Sequence, residues 1–184
     1  PGKIRDVNSY TLAGLVRDYG GEAIVLPPAK DTLDDVRRVF DESINLNPDL
    51  IVSSAGASVG ASDFIQVVLR EKGEVDFWRI NLRPGKPLSF GHVGGIPFFG
   101  LPGNPVSAMV TFDVLVRPAL QKQAGLSTHT RMATAITGEV FRSDGRRSYI
   151  RVWLNPDAGG KFVATSTGTQ SSGALMSMVK RTGY

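Results

Sequence analysis

Five stretches of this sequence set small, hydroxyl-bearing or cationic residues where an anion could be held. Ser53-Ser54-Ala55-Gly56-Ala57-Ser58-Val59-Gly60 is a run of small side chains between an apolar stretch, residues 49–52, and Ser62, a helix-capping residue type. Small side chains let backbone N–H groups approach an anion, and a helix N-terminus adds partial positive charge. The run lacks the Lys of a P-loop and the three-glycine spacing of a dinucleotide fingerprint. It therefore points to phosphate or nucleotide binding of another kind, or to a plain tight turn. Asp63 stands at its mouth, where a carboxylate either holds Mg²⁺ beside a phosphate or stabilises the helix dipole.

Arg83-Pro84-Gly85-Lys86-Pro87 sets two cations three residues apart, with prolines restricting the backbone and a glycine permitting close approach. A rigid cationic loop of this kind suits an oxyanion. Arg79 extends the positive field or is simply solvated. Gly100-Leu101-Pro102-Gly103-Asn104-Pro105-Val106-Ser107 joins a Gly-Pro turn to Asn104 as cap and Pro105 at the first helical position, leaving the N–H groups of Val106 and Ser107 open to a ligand. The plain alternative is a well-started helix. Gly145-Arg146-Arg147-Ser148-Tyr149-Ile150-Arg151 and Gly168-Thr169-Gln170-Ser171-Ser172-Gly173 offer guanidinium forks and hydroxyls, which favour tetrahedral oxyanions, although arginines beside turns are commonly wet surface.

The elements that must position these loops follow from periodicity. Asn8 or Ser9 caps a first helix through Leu12, Leu15, Val16 and Tyr19, ended by Gly20-Gly21, and a strand is expected over residues 22–26. Asp31 caps a second helix with Leu33, Val36, Phe40 and Ile44 on one face. Residues 49–54 read as a buried strand, residues 62–73 as a helix, and residues 75–82 as a strand. A hairpin pairs residues 88–92 with 96–100 around Gly94-Gly95, and a long helix runs from about Val106 to Gln123. This alternation predicts an open, mostly parallel, three-layer α/β/α sheet over residues 1–124, with ligands outside the strands' carboxyl ends. From Gly125 the pattern changes to short β-prone pieces at 133–141, 148–154 and 161–166, separated by turns at Ser143-Asp144-Gly145 and Asn155-Pro156-Asp157. Residues 125–184 are thus expected to form a second, small β domain that leans on a neighbour.

Composition narrows the chemistry. The 184 residues are 41% hydrophobic and 21% charged, near the average of a globular domain, and no apolar run approaches the ~20 residues of a membrane-crossing helix. There is no Cys, which removes disulfides, thiolate metal sites and cysteine nucleophiles, and the two histidines, His92 and His129, are few for a histidine-based site. Residues 1–114 carry 11 basic and 14 acidic side chains, and residues 115–184 carry 10 and 3. A basic second part suits an anionic partner or a solvated face. With only Trp78 and Trp153 and no clustered aromatic platform, nucleic acid is set aside, as is a membrane partner. The opening residues hold no signal-peptide core and read as a cut in a longer protein.

Taken together, the opening Pro1-Gly2-Lys3-Ile4-Arg5-Asp6-Val7-Asn8, then SSAGASVGASDF, FWRINLRPGKPLSFG and FFGLPGNPVSAMVTF, resemble the MoeA family of molybdopterin molybdenumtransferases and the related E domain of gephyrin. The resemblance implies a molybdopterin-binding α/β domain, like that of the molybdopterin adenylyltransferases, followed by a small C-terminal β-barrel. It further implies insertion of molybdate into adenylylated molybdopterin with release of AMP, helped by Mg²⁺, in a cytoplasmic homodimer that contacts a molybdopterin adenylyltransferase. Carried over by motif position, Ser54, Gly56, Ser58 and Gly60 belong to the pterin and phosphate loop, with Pro102, Asn104, Pro105 and Ser107 completing the substrate contacts. Lys86, Ser107, Arg146 and Ser172 form the molybdate pocket. Asp63, Lys86 and Arg83 form the catalytic set, Asp63 also serving as metal ligand. The family carries Lys where Arg79 and Arg83 stand, and Gly where Ser171 stands. It also carries a Thr-Gly-Asp-Glu strand and two further domains ahead of Pro1, so the chain is expected to be a C-terminal fragment. Two other readings stay open: a non-catalytic molybdopterin-binding scaffold, and an adenylyltransferase acting one step earlier.

Overall fold

The computed structural model describes residues 5–54, 62–128, 132–142 and 144–184, the side chains of Ser62, Asp63, Trp78 and Lys180 excepted. Helix α1 (Asn8–Asp18) starts under the Asp6 carboxylate, which accepts from the Ser9 N–H at 3.0 Å and from the Ser9 hydroxyl. Asn8 is therefore not a cap. It is buried and donates through Nδ2 to the Gly103 carbonyl at 2.9 Å, tying α1 to the Gly-Pro turn. Helix α2 (Leu33–Asn45) is capped by Thr32, whose hydroxyl accepts from the Asp35 N–H, rather than by Asp31.

Strand β1 (Ile51–Ser54) and helix α3 (Ser62–Lys72) follow, then β2 (Gly73–Arg79), β3 (Leu82–Arg83) and the hairpin β4 (Pro87–Val93) and β5 (Ile96–Leu101). The main sheet has the order β1-β5-β4-β2. Only β1 and β5 run parallel, while β4 pairs antiparallel with both β5 and β2. The sheet is thus mixed rather than mostly parallel, because the links joining β2, β4 and β5 are too short for a crossover helix. The expected strand over residues 22–26 is absent from the ladders, with Ile24 59% and Val25 52% exposed.

Alternation along β5 builds two cores. Phe98 and Ile96 face α2 and α3, packing on Val36, Phe40, Val68 and Leu69. Phe99 and Leu101 face the other layer, against Leu12 of α1 and Ala108, Phe112 and Val116. Each such side chain fully buried contributes about 1.5–3 kcal/mol. The long helix expected from Val106 to Gln123 is α4 (Pro105–Thr111), a π-helical turn at Phe112–Val116 and α5 (Arg117–Gln123) in succession. The three-layer α/β/α arrangement expected from sequence is present.

The second unit contains β6 (Ala135–Thr137), β7 (Arg147–Ser148), β8 (Val152–Pro156), β9 (Phe162–Ser166) and the short helix α6 (Met176–Lys180). Among the described residues it forms a three-stranded sheet, β6-β9-β8, and no closed barrel. Closure needs every edge paired, whereas β7 leaves this sheet to pair with β3 of the first unit. The units are also joined through Met178, packed on Val106 and Val110. The accessible surface of 11368 Å² exceeds the ~8,600 Å² of a compact monomer of this mass, and Met132 and Val140 are about 90% exposed.

Candidate functional site

The parallel β3–β7 ladder brings the two cationic segments together. Leu82 registers with Arg147 and Arg83 with Ser148. The Arg147 N–H donates to the Asn81 carbonyl at 3.3 Å and the Tyr149 N–H to the Arg83 carbonyl at 2.7 Å. Just beyond β3 the Arg83-Pro84 peptide is cis and Gly85 has φ +114, with a side-chain carbon excluded there by the Thr111 methyl group. Only glycine fits that combination without strain. The turn is closed by the Ile80 N–H, which donates to the Lys86 carbonyl at 3.1 Å. Lys86 itself is exposed and pairs with no carboxylate among the described residues.

Asp144 lies between the two arginines. Its carboxylate accepts from Arg83 Nη1 at 3.2 Å and from Arg146 Nε at 3.1–3.2 Å, Arg146 Nη2 and the Arg146 N–H. The guanidinium of Arg146, with Arg83 adding to the field, holds the Asp144 carboxyl down to about 2. Arg83, expected in the catalytic set, and Arg146, expected in the molybdate pocket, thus share one carboxylate from a residue with no expected role.

On the other side, Asn104 caps α4 as expected, its Oδ1 accepting from the Val106 N–H at 3.2 Å, with Pro105 opening the helix. Ser107 is buried, and its carbonyl accepts from the Thr111 hydroxyl at 2.8 Å. Pro102 is buried beneath the turn. The β1–β5 register, Ser54 opposite Leu101, starts the small-residue loop and the Gly-Pro turn at the same end of the sheet. Gly56, Ser58 and Gly60 lie outside the described residues, as does the side chain of Asp63.

Ser172 is half-buried in the loop 168–173. That loop is held from below by Arg151, which is 1% exposed. Its Nη2 donates to the carbonyls of Ser171 at 3.1 Å and Thr169 at 3.5 Å, and its Nε to the Ser177 hydroxyl at 3.0 Å. Gln170 completes the zip, accepting from the Arg151 N–H and donating to its carbonyl. Arg151 was not among the expected site residues. Its signal was the alternation of Tyr149, Arg151 and Trp153, which sets these residues on one side of an extended chain. Burial pulls its guanidinium below the usual value.

Among the described residues no group of three His, Asp or Glu side chains is placed to hold a metal ion. The carboxylate expected to hold Mg²⁺, that of Asp63, lies outside the described side chains.

Two cationic segments, one from a mixed α/β unit and one from a small β unit, meet across the β3–β7 ladder and define a two-unit α/β protein with a candidate anion site at the junction. The chain belongs to the MoeA family: residues 1–122 match a probable molybdopterin binding domain, and residues 134–184 the MoeA C-terminal region (domain IV). The molybdopterin molybdenumtransferase of Haemophilus influenzae is 34% identical over 182 residues, covering 97% of this chain and 45% of that protein. That of Nostoc sp. is 33% identical over 187 residues, covering 98% and 43%. The crystal structure of the molybdopterin biosynthesis MoeA protein of Pyrococcus horikosii superposes with a TM-score of 0.76 at 32% identity, covering 98% of this chain and 43% of that one. The chain thus spans less than half the length of these relatives.

Proposed function

We propose that this chain carries the molybdate-insertion site of a molybdopterin molybdenumtransferase, which converts adenylylated molybdopterin and molybdate to molybdenum cofactor and AMP. The observation that supports it best is the β3–β7 ladder, which puts Arg83 and Arg146, from motifs more than 60 residues apart, on one carboxylate and next to the Lys86 turn. Names of relatives covering nearly the whole chain point the same way.

Molybdate is a tetrahedral dianion. Lys86 and Arg146 supply charge and Ser107 and Ser172 supply hydroxyl donors, Pro102 and Pro105 giving the loop its shape. Arg83 adds charge where the AMP phosphate departs, stabilising negative charge as it develops. The loop containing Ser54, Gly56, Ser58 and Gly60, with Asn104 at the neighbouring turn, holds the pterin phosphate. Asp63 is the carboxylate left to any Mg²⁺ that arrives with the nucleotide, since Mg²⁺ takes one or two carboxylates plus substrate phosphates. We place the boundary between the units at residues 124 and 125. A homodimer, a cytoplasmic location and a contact with a molybdopterin adenylyltransferase belong to the same proposal. Among the described residues no helix is long and apolar enough to cross a membrane.

The test is molybdate-dependent release of AMP from adenylylated molybdopterin by the full-length protein. Lys86→Ala is expected to abolish it. Undiminished release would sink the pocket, binding without release would favour the scaffold reading, and pyrophosphate released from ATP without molybdate would favour the adenylyltransferase.

A further inference from the structure

The carboxylate of Asp144 takes four hydrogen bonds from the guanidinium groups of Arg83 and Arg146, which belong to different units of the fold, and a fifth from the Arg146 backbone N–H. Neither oxygen is left free of a cationic partner. Its side chain is 35% exposed, that of Arg83 50% and that of Arg146 33%, so water and small ions reach all three. The geometry resembles an occupied anion site, except that the anion is built into the chain.

A guanidinium offers its donors along separate edges, and Asp144 takes the Nε and Nη2 edge of Arg146. It also takes Arg83 Nη1. The charge balance follows directly: one unit of negative charge is set against two positive groups, with Lys86 close by in sequence and bearing a third. A dianion that docks on the Nε and Nη2 edge of Arg146 or on Arg83 Nη1 has to share those donors with Asp144 or move it aside. Protonation does not remove the competitor, because the arginines keep its carboxyl ionised at any ordinary pH. An exposed ion pair is weak, so a dianion drawn by three cations can exchange with it.

We infer that Asp144 is an internal counter-ion of the oxyanion site: it occupies Arg83 and Arg146 when the site is empty and is exchanged against the tetrahedral dianion on binding, so that it sets the affinity for the ion. The ligand class is a small tetrahedral dianion. The inference rests on the reading of Arg146 as a molybdate ligand, and it assigns Asp144 a role that weakens binding while keeping the empty site from collecting other anions.

The test is a calorimetric titration of sodium molybdate into the full-length protein, its Asp144→Asn and Asp144→Ser variants and Arg146→Ala. Asn and Ser both keep an oxygen to accept the Arg146 N–H while removing the charge. Each Asp144 variant is expected to bind molybdate about two- to fivefold more tightly, the scale of one exposed ion pair. Arg146→Ala is expected to bind more weakly. If both Asp144 variants bind no more tightly while Arg146→Ala binds more weakly, the counter-ion role is overturned and the site stands. If Arg146→Ala leaves the affinity unchanged, the site itself is misread and the counter-ion role falls with it.

Discussion

Asp113 and Arg181 form a salt bridge of 3.0 Å that ties the chain's last residues to the π-helical turn between α4 and α5. The Asp113 carboxylate is almost fully buried and also accepts from the Tyr184 hydroxyl at 2.6 Å and the Tyr19 hydroxyl at 3.4 Å. Burial and the Asp113 charge push the Tyr184 hydroxyl far above its ordinary value, so it stays a donor. Two separate parts of the sequence, α1 and residues 181–184, thus meet on one side chain that follows Ser107 on the same continuous helix. Asp113→Ala strands the Arg181 charge against the interface and is expected to cost about 3 kcal/mol in urea denaturation. Adding Arg181→Met is expected to recover most of that loss, and a double variant as unstable as the single would contradict it.

Gly85 is the second place where the site and stability meet. With φ +114 and Thr111 in the way of a side chain, Gly85→Ala is expected to lower stability by about 1–3 kcal/mol. Because Lys86 is the next residue, molybdate affinity is expected to fall in the same variant. A thermal melt beside a molybdate titration checks both, and unchanged affinity would detach Lys86 from the ion.

Arg151 gives a test of the loop that carries Ser172. Arg151→Ala removes the donor to two loop carbonyls in a buried position. Hydrogen exchange at residues 169–173 is expected to accelerate, together with a loss of about 3 kcal/mol on the scale of buried polar networks. Exchange confined to wild-type rates would show that Gln170 suffices.

The Asp144 carboxyl has a depressed value, so its ion pairs contribute from neutral pH down to the ordinary 3.8 and fade as pH falls through about 2. An NMR titration of the side-chain carboxyl is expected to show a midpoint near 2, and Arg146→Ala to raise it toward 3.8. A midpoint unmoved by that substitution would place the cause elsewhere.

Several features were legible because they are local. The hairpin around Gly94-Gly95 has two positive φ angles at the turn, and the Asn104-Pro105 start of α4 is a cap made by neighbours in sequence. The cap of α2 was misassigned by one residue, since Asp31 and Thr32 are both good caps and only the chain's entry angle chooses. The strand expected at residues 22–26 failed for the opposite reason. Its apolar pattern is present, but a strand exists only with a ladder partner, and among the described residues it has none.

Residue types and motif order by themselves determined the three-layer α/β arrangement, the change to short strands after Gly125 and the family, since periodicity, caps and short motifs are local properties of a chain. Tertiary structure alone decided that β7 leaves its own sheet for β3, that the second unit forms no closed barrel among the described residues, and that Asp144, Arg151 and Asp113 hold the loops in place. The physical reason is that strand pairing and buried charge are settled by which surfaces meet in space, and pairs such as Arg83 with Asp144, 61 residues apart, or Asp113 with Tyr184, 71 apart, leave no periodic trace between them.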